Sequence, residues 1–80
     1  MRIGFAIRVV DQEGNGVPDA EVTVHYPYAE DNGCTDEQGW VHFEKDHFFG
    51  NAVRANVYID GQLRDEFICF EDGDTVSYTV

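Results

Sequence analysis

The chain reads as an all-β protein, a seven-stranded antiparallel Greek-key β-sandwich, and three observations predict it. Apolar and polar residues alternate at period two through several short runs. Turn-forming clusters of Gly, Asp and Asn recur between those runs, around Asp11 to Gly16, Asp36 to Gly39, Asp60 and Gly61, and Glu71 to Asp74. No stretch carries the 3.6-residue period of an amphipathic helix.

Each element follows from its own residues. The first strand is expected over residues 3–10, with Ile3, Phe5, Ile7 and Val9 on one face and Gly4, Ala6 and Arg8 on the other. Residues 11–19 form a turn segment in which Gly14 and Gly16 admit positive φ and Pro18 closes the loop. The second strand, residues 20–26, sets Val22, Val24 and Tyr26 inward against Glu21, Thr23 and His25. Pro27 stops it or leaves it as an edge. Residues 28–33 read as an acidic loop, and Cys34, Thr35 and Asp36 as a short third strand. A tight turn follows, with Gly39 suited to the left-handed position, and then a fourth strand over 40–44. Residues 45–51 are expected to be a loop whose Phe48 and Phe49 plug one end of the core. The fifth strand, 52–60, has the cleanest alternation: Val53, Ala55, Val57 and Ile59 inward, Arg54, Asn56, Tyr58 and Asp60 outward. Asp60 and Gly61 make a two-residue hairpin turn into the sixth strand, 62–70. Residues 71–74 turn the chain into the seventh, 75–80, with Val76, Tyr78 and Val80 inward.

Eighty residues make one domain, 1–80, with a thin core. Aromatics at 14% argue against disorder, because they supply the burial that offsets ordering entropy. Sixteen acids against five bases give a formal charge of -11, which disfavours nucleic acid and anionic membranes. Cations and basic partners suit that field; solubility in a salty medium accounts for it without a ligand. No apolar stretch approaches the ~20 residues needed to span a bilayer, so membrane insertion is not expected. The opening run MRIGFAIRVV alternates like a strand and is too short for a signal peptide, which fits either a cytoplasmic protein or a mature or excised segment of a longer one.

A strand followed by D-x-x-G-x-G-V-P-D-A, then V-x-V, and later T-D-x-x-G-W-V-x-F, resembles the carboxypeptidase regulatory-like domains. The matched positions are Asp11, Gly14, Gly16 to Ala20, Val22 and Val24, then Thr35, Asp36, Gly39 to Val41 and Phe43. Those domains belong with the transthyretin-like (prealbumin-like) sandwiches, close to the Ig-like ones. The resemblance covers the first half of the chain and implies a non-catalytic accessory or adhesion-type module, usually extracytoplasmic. One transthyretin-like branch hydrolyses 5-hydroxyisourate, using an N-terminal histidine, an arginine, a second histidine and a C-terminal Y-R-G-S. This chain ends Val76-Ser77-Tyr78-Thr79-Val80 and has no histidine in its first strand, so that activity does not carry over.

The remaining candidates are weighed on residue type. Zinc requires three or four converging ligands, and neither the spacing of His25, His42 and His47 nor Cys34 and Asp46 forces convergence. Calcium prefers loop carboxylates, which makes Asp31, Asp36, Asp72 and Asp74 the candidate ligands and calcium the one candidate cofactor; turn propensity explains the same residues without a metal. Cys34 and Cys69 form either one disulfide or two reduced thiols, the second favoured by the missing signal peptide. Trp40, Phe48, Phe49, Tyr26, Tyr28 and Tyr58 could form a platform for sugars or a peptide, though most read more simply as core plugs; Tyr28, Phe48, Phe49 and Tyr58 are the candidate contact aromatics. The expected function is a non-enzymatic structural or protein-interaction module, with a protein partner or a second copy added at an edge strand. The alternative is a calcium- or carbohydrate-binding module working through its acidic loops.

Overall fold

A computed structural model describes residues 2–46 and 52–80. It contains β1 (Arg2–Val10), β2 (Glu21–His25), β3 (Glu30–Cys34), β4 (Trp40–Asp46), β5 (Ala52–Ile59), β6 (Gln62–Glu71) and β7 (Asp74–Thr79). Two sheets pack face to face, one of three strands in the order β4-β1-β7 and one of four in the order β3-β2-β5-β6. The expected seven-stranded β-sandwich is the observed fold.

The alternation explains the layers. Ile3, Phe5, Ile7 and Val9 of β1 are buried, as are Val22 and Val24 of β2 and Val53, Ala55, Val57 and Ile59 of β5. Between the sheets Phe5 stacks on Phe70, with centroids 4.0 Å apart, and lies 5.7 Å from Phe43. Aromatic rings supply large buried areas from few positions, which suits so thin a core.

Four departures from expectation have physical reasons. The β1–β7 ladder is parallel, with Phe5 opposite Asp74 and Val10 opposite Thr79, while the other ladders are antiparallel. The chain crosses from one sheet to the other between β6 and β7, and β7 joins the free side of β1 running in its direction. The third strand is Glu30–Cys34 and not residues 34–36, so the expected acidic loop is mostly strand. Its inward positions, Asp31 and Gly33, carry no apolar side chain, and it is held as an edge by β2, where Thr23 Oγ1 donates to Asn32 Oδ1 at 2.6 Å. β4 extends to Asp46, into the segment expected to be loop; Phe48 and Phe49 lie outside the described residues. Val80 is exposed and not inward, since it follows the end of β7.

The two motif turns are near copies. Asp11 Oδ1 accepts from the backbone N–H of Glu13 (2.9 Å) and Asn15 (3.0 Å), and Asp36 Oδ1 accepts from Gln38 and Trp40 (2.9 Å each). Gly14 (φ 87°) and Gly39 (φ 86°) take the same left-handed position. The turns also interlock. Val9 N–H donates to Gly39 O (2.8 Å), Val17 N–H donates to Val9 O (2.9 Å), and Gly16 lies against Gln38 too closely to admit a Cβ.

Candidate functional site

The acidic residues are spread through the fold. Asp36 spends its carboxylate on its own turn. At the β6–β7 turn, Asp72 Oδ1 accepts from Gly4 N–H at 2.8 Å and Asp74 Oδ2 accepts from Glu71 N–H at 2.8 Å. Asp31 is half-buried on β3. Asp72 and Asp74 thus share one turn, and Asp31 and Asp36 stand elsewhere. Among the described residues no three His, Cys, Asp or Glu side chains gather as a metal site requires.

The histidines and cysteines are likewise kept apart. His25 is exposed on the outer face of the four-stranded sheet, and His42 is exposed on the outer face of the other, with the core between them. Facing sheets lie about 10 Å apart, so outward-facing histidines have no hydrogen-bond reach to a shared substrate. Cys34 on β3 and Cys69 on β6 are free and exposed at opposite edges of one sheet. Three strand spacings separate them by about 14 Å, too far for a disulfide.

The aromatics follow a different pattern. Tyr28 is exposed in the β2–β3 connection, stacked on buried Tyr26 with centroids 6.2 Å apart. The Lys45 ammonium lies 5.0 Å from the Tyr26 centroid and 5.8 Å from that of Tyr28, so a cation caps this pair. Tyr58 is half-buried on the outer face of β5, between Thr23 and Leu63. Arg8 donates Nε–H to Gln38 O (3.1 Å) and lies over Trp40, which is partly exposed and not in the core.

Sequence reasoning missed the region where β5 meets β6. Two register shifts place extra β6 residues opposite Asn56 and Tyr58. At the first of them Phe67 adopts φ 59° and is 65% exposed, and its N–H donates to Asn56 Oδ1 at 2.9 Å. A bulky residue in the left-handed region is an outlier that the surrounding structure must hold. The available signal was length alone: β6 has ten residues where β5 has eight.

Beside Phe67 the β2–β5 ladder stops at His25 opposite Asn56, because Pro27 has no N–H to continue it. The gap is a shallow depression of about 180 Å³ lined by His25, Tyr26, Pro27, Arg54, Asn56 and Phe67. Tyr26 is 1% exposed and its hydroxyl has no hydrogen-bond partner. Burial, then the negative charge of Asp31 and the approach of the hydroxyl to that carboxylate, hold its pKa well above the ordinary tyrosine value. Tyr78 contrasts with it: burial and the bond from Oη to Asp65 Oδ2 (3.0 Å), which ties β7 to β6, raise its pKa in the same direction.

No protein-family model and no curated protein matches the chain. Among solved structures the chain resembles part of a TIE protein from Bacillus anthracis, with a TM-score of 0.63 and 21% identity. All of this chain is covered, and 16% of that one. At that identity the likeness supports the β-sandwich fold and nothing finer.

Proposed function

We propose that this chain is a non-enzymatic β-sandwich interaction module, of the carboxypeptidase regulatory-like or transthyretin-like kind, that presents β7 to a partner strand. The observation that carries this reading is the character of that edge. β7 pairs with β1 on one side and, among the described residues, has no neighbour in its sheet on the other. After Asp74 its sequence, Thr75 to Thr79, contains no charge and no proline. Edges are ordinarily guarded by Lys, Pro or bulges, and an unguarded one is a template for strand addition. The β6 edge is guarded, by two register shifts and by Arg64, Asp65 and Glu66.

The test is amide hydrogen exchange of the whole chain with a lysine-flanked Thr-Val repeat peptide, chosen to suit the net charge of -11. Added peptide should slow exchange at alternate β7 amides, and Ser77→Lys should abolish the effect. Unchanged β7 exchange, or protection at β3, β4 or β6 instead, would sink the reading.

A further inference from the structure

The five bases are not equally engaged. Arg2 approaches Glu44 and Asp46 at 3.4 Å each, Arg8 bonds Gln38 O, Lys45 caps two tyrosines and Arg64 bonds Gln62 Oε1 at 3.2 Å. Arg54 alone among the described bases makes no hydrogen bond, ion pair or ring contact, in a chain with sixteen acids. It is exposed and lines the depression that holds Phe67.

Two unspent features therefore meet at one concave place: an unpaired guanidinium and an exposed aromatic ring held at a conformational cost. We infer that the depression at Arg54 and Phe67 is a docking site for a segment of another protein, one that sets a carboxylate on Arg54 and an apolar side chain against Phe67. Charge complementarity selects this occupant. A planar guanidinium recognises a carboxylate through paired N–H donors, and Arg with an aromatic neighbour is the usual make-up of an interface anchor. The field of the whole chain narrows the choice. At -11 it repels a second copy and acidic proteins generally, so the segment carries its one carboxylate in otherwise neutral or basic surroundings. This site lies on the four-stranded sheet, apart from the β7 edge, and stands or falls separately from it.

A random peptide library displayed on phage and screened against the intact chain provides the test, with Arg54→Gln and Phe67→Asn proteins screened in parallel. Both positions are exposed, and amide spectra of the variants verify that the fold is kept. Recovered peptides should place Asp or Glu within two positions of an aromatic or large aliphatic residue. Synthesised and titrated, they should shift amides at residues 25–27, 54–56 and 66–68. Affinity should fall about tenfold on Arg54→Gln, the usual scale for losing one charge-assisted bond. Peptides with no shared carboxylate, undiminished binding to Arg54→Gln, or shifts confined to β7 would each overturn the inference. So would sedimentation showing a dimer of this chain that Phe67→Asn dissociates.

Discussion

The interlocked turns at Asp11 and Asp36 and the depression at Arg54 and Phe67 solve opposite problems. In the two turns the left-handed positions fall to glycine, and just beyond the first to Asp19 (φ 57°), a residue type that tolerates them, while each turn carboxylate caps backbone N–H groups within reach. Thr35, the buried polar residue of this region, is also satisfied: Oγ1 donates to Val17 O at 2.5 Å and accepts from Ala20 N–H at 2.9 Å. In the depression the left-handed conformation falls on phenylalanine and the cation is unpaired. Local agreement at every level marks a region selected for folding, and local conflict marks one selected for something else.

The largest expected effect comes from breaking the interlock. Gly39→Ala puts a Cβ into Val9 O in addition to holding φ at 86°, whereas Gly14→Ala meets open space at φ 87°. In urea denaturation Gly39→Ala should cost about 3 kcal/mol or more, and Gly14→Ala about 1 kcal/mol. Equal costs would show that the close packing of Gly39 on Val9 contributes nothing beyond its positive φ.

That contrast also separates what was legible in the sequence from what was not. β1, β5 and the Asp60–Gly61 hairpin show themselves because period-two alternation and a positive-φ dipeptide are local signals; Asp60 and Gly61 adopt φ 51° and 82°. β3 was hidden because its inward positions are Asp31 and Gly33, so the pleat alternates without an apolar pattern. The parallel β1–β7 pairing was hidden because pairing direction is a property of chain crossing between sheets. Asp31, Asp36, Asp72 and Asp74 shared a chemistry but not a location, and only the fold separates them. Phe67 was unreadable for a related reason: a register shift leaves no mark in composition, and its strain exists only once Asn56 faces it.

A second prediction sharpens the comparison through two tyrosines whose pKa values are both raised by burial and a neighbouring aspartate, but whose hydroxyls differ in hydrogen-bond geometry. At neutral pH, Tyr78→Phe should cost about 1 kcal/mol by losing the bond to Asp65, while Tyr26→Phe should be neutral or stabilising, since it removes an unsatisfied buried hydroxyl. The sign with pH follows from the direction of the shifts. A folded-state pKa above the unfolded value means that the stabilising form is the protonated one. The contribution is therefore complete below an unfolded pKa of about 10 and is lost as pH rises through the higher folded value. Thermal melts should show wild-type stability falling on the alkaline side above that point, with a shallower fall in Tyr78→Phe. An unchanged alkaline limb in Tyr78→Phe, or an equal cost for Tyr26→Phe at neutral pH, would remove the distinction between a satisfied and an unsatisfied hydroxyl.

The smallest expected effect has the opposite sign and bears most directly on what the depression is for. A phenylalanine in the left-handed region costs about 1 kcal/mol relative to its preferred conformations, and asparagine visits that region far more readily. Phe67 is 65% exposed, so its replacement gives up little burial, and the bond to Asn56 comes from the backbone N–H and survives. Phe67→Asn should therefore raise stability by about 0.5–1 kcal/mol, a gain of a few degrees in melting temperature for a domain of this size. If stability falls instead, the ring makes net favourable contacts with the walls of the depression, and its conformation is no sign of a cost borne for recognition. If stability rises while the peptides recovered at Arg54 are lost, one substitution separates the two demands on this chain. The turns hold the fold without strain; the bulge keeps a strained aromatic in solvent, and binding is the return on that strain.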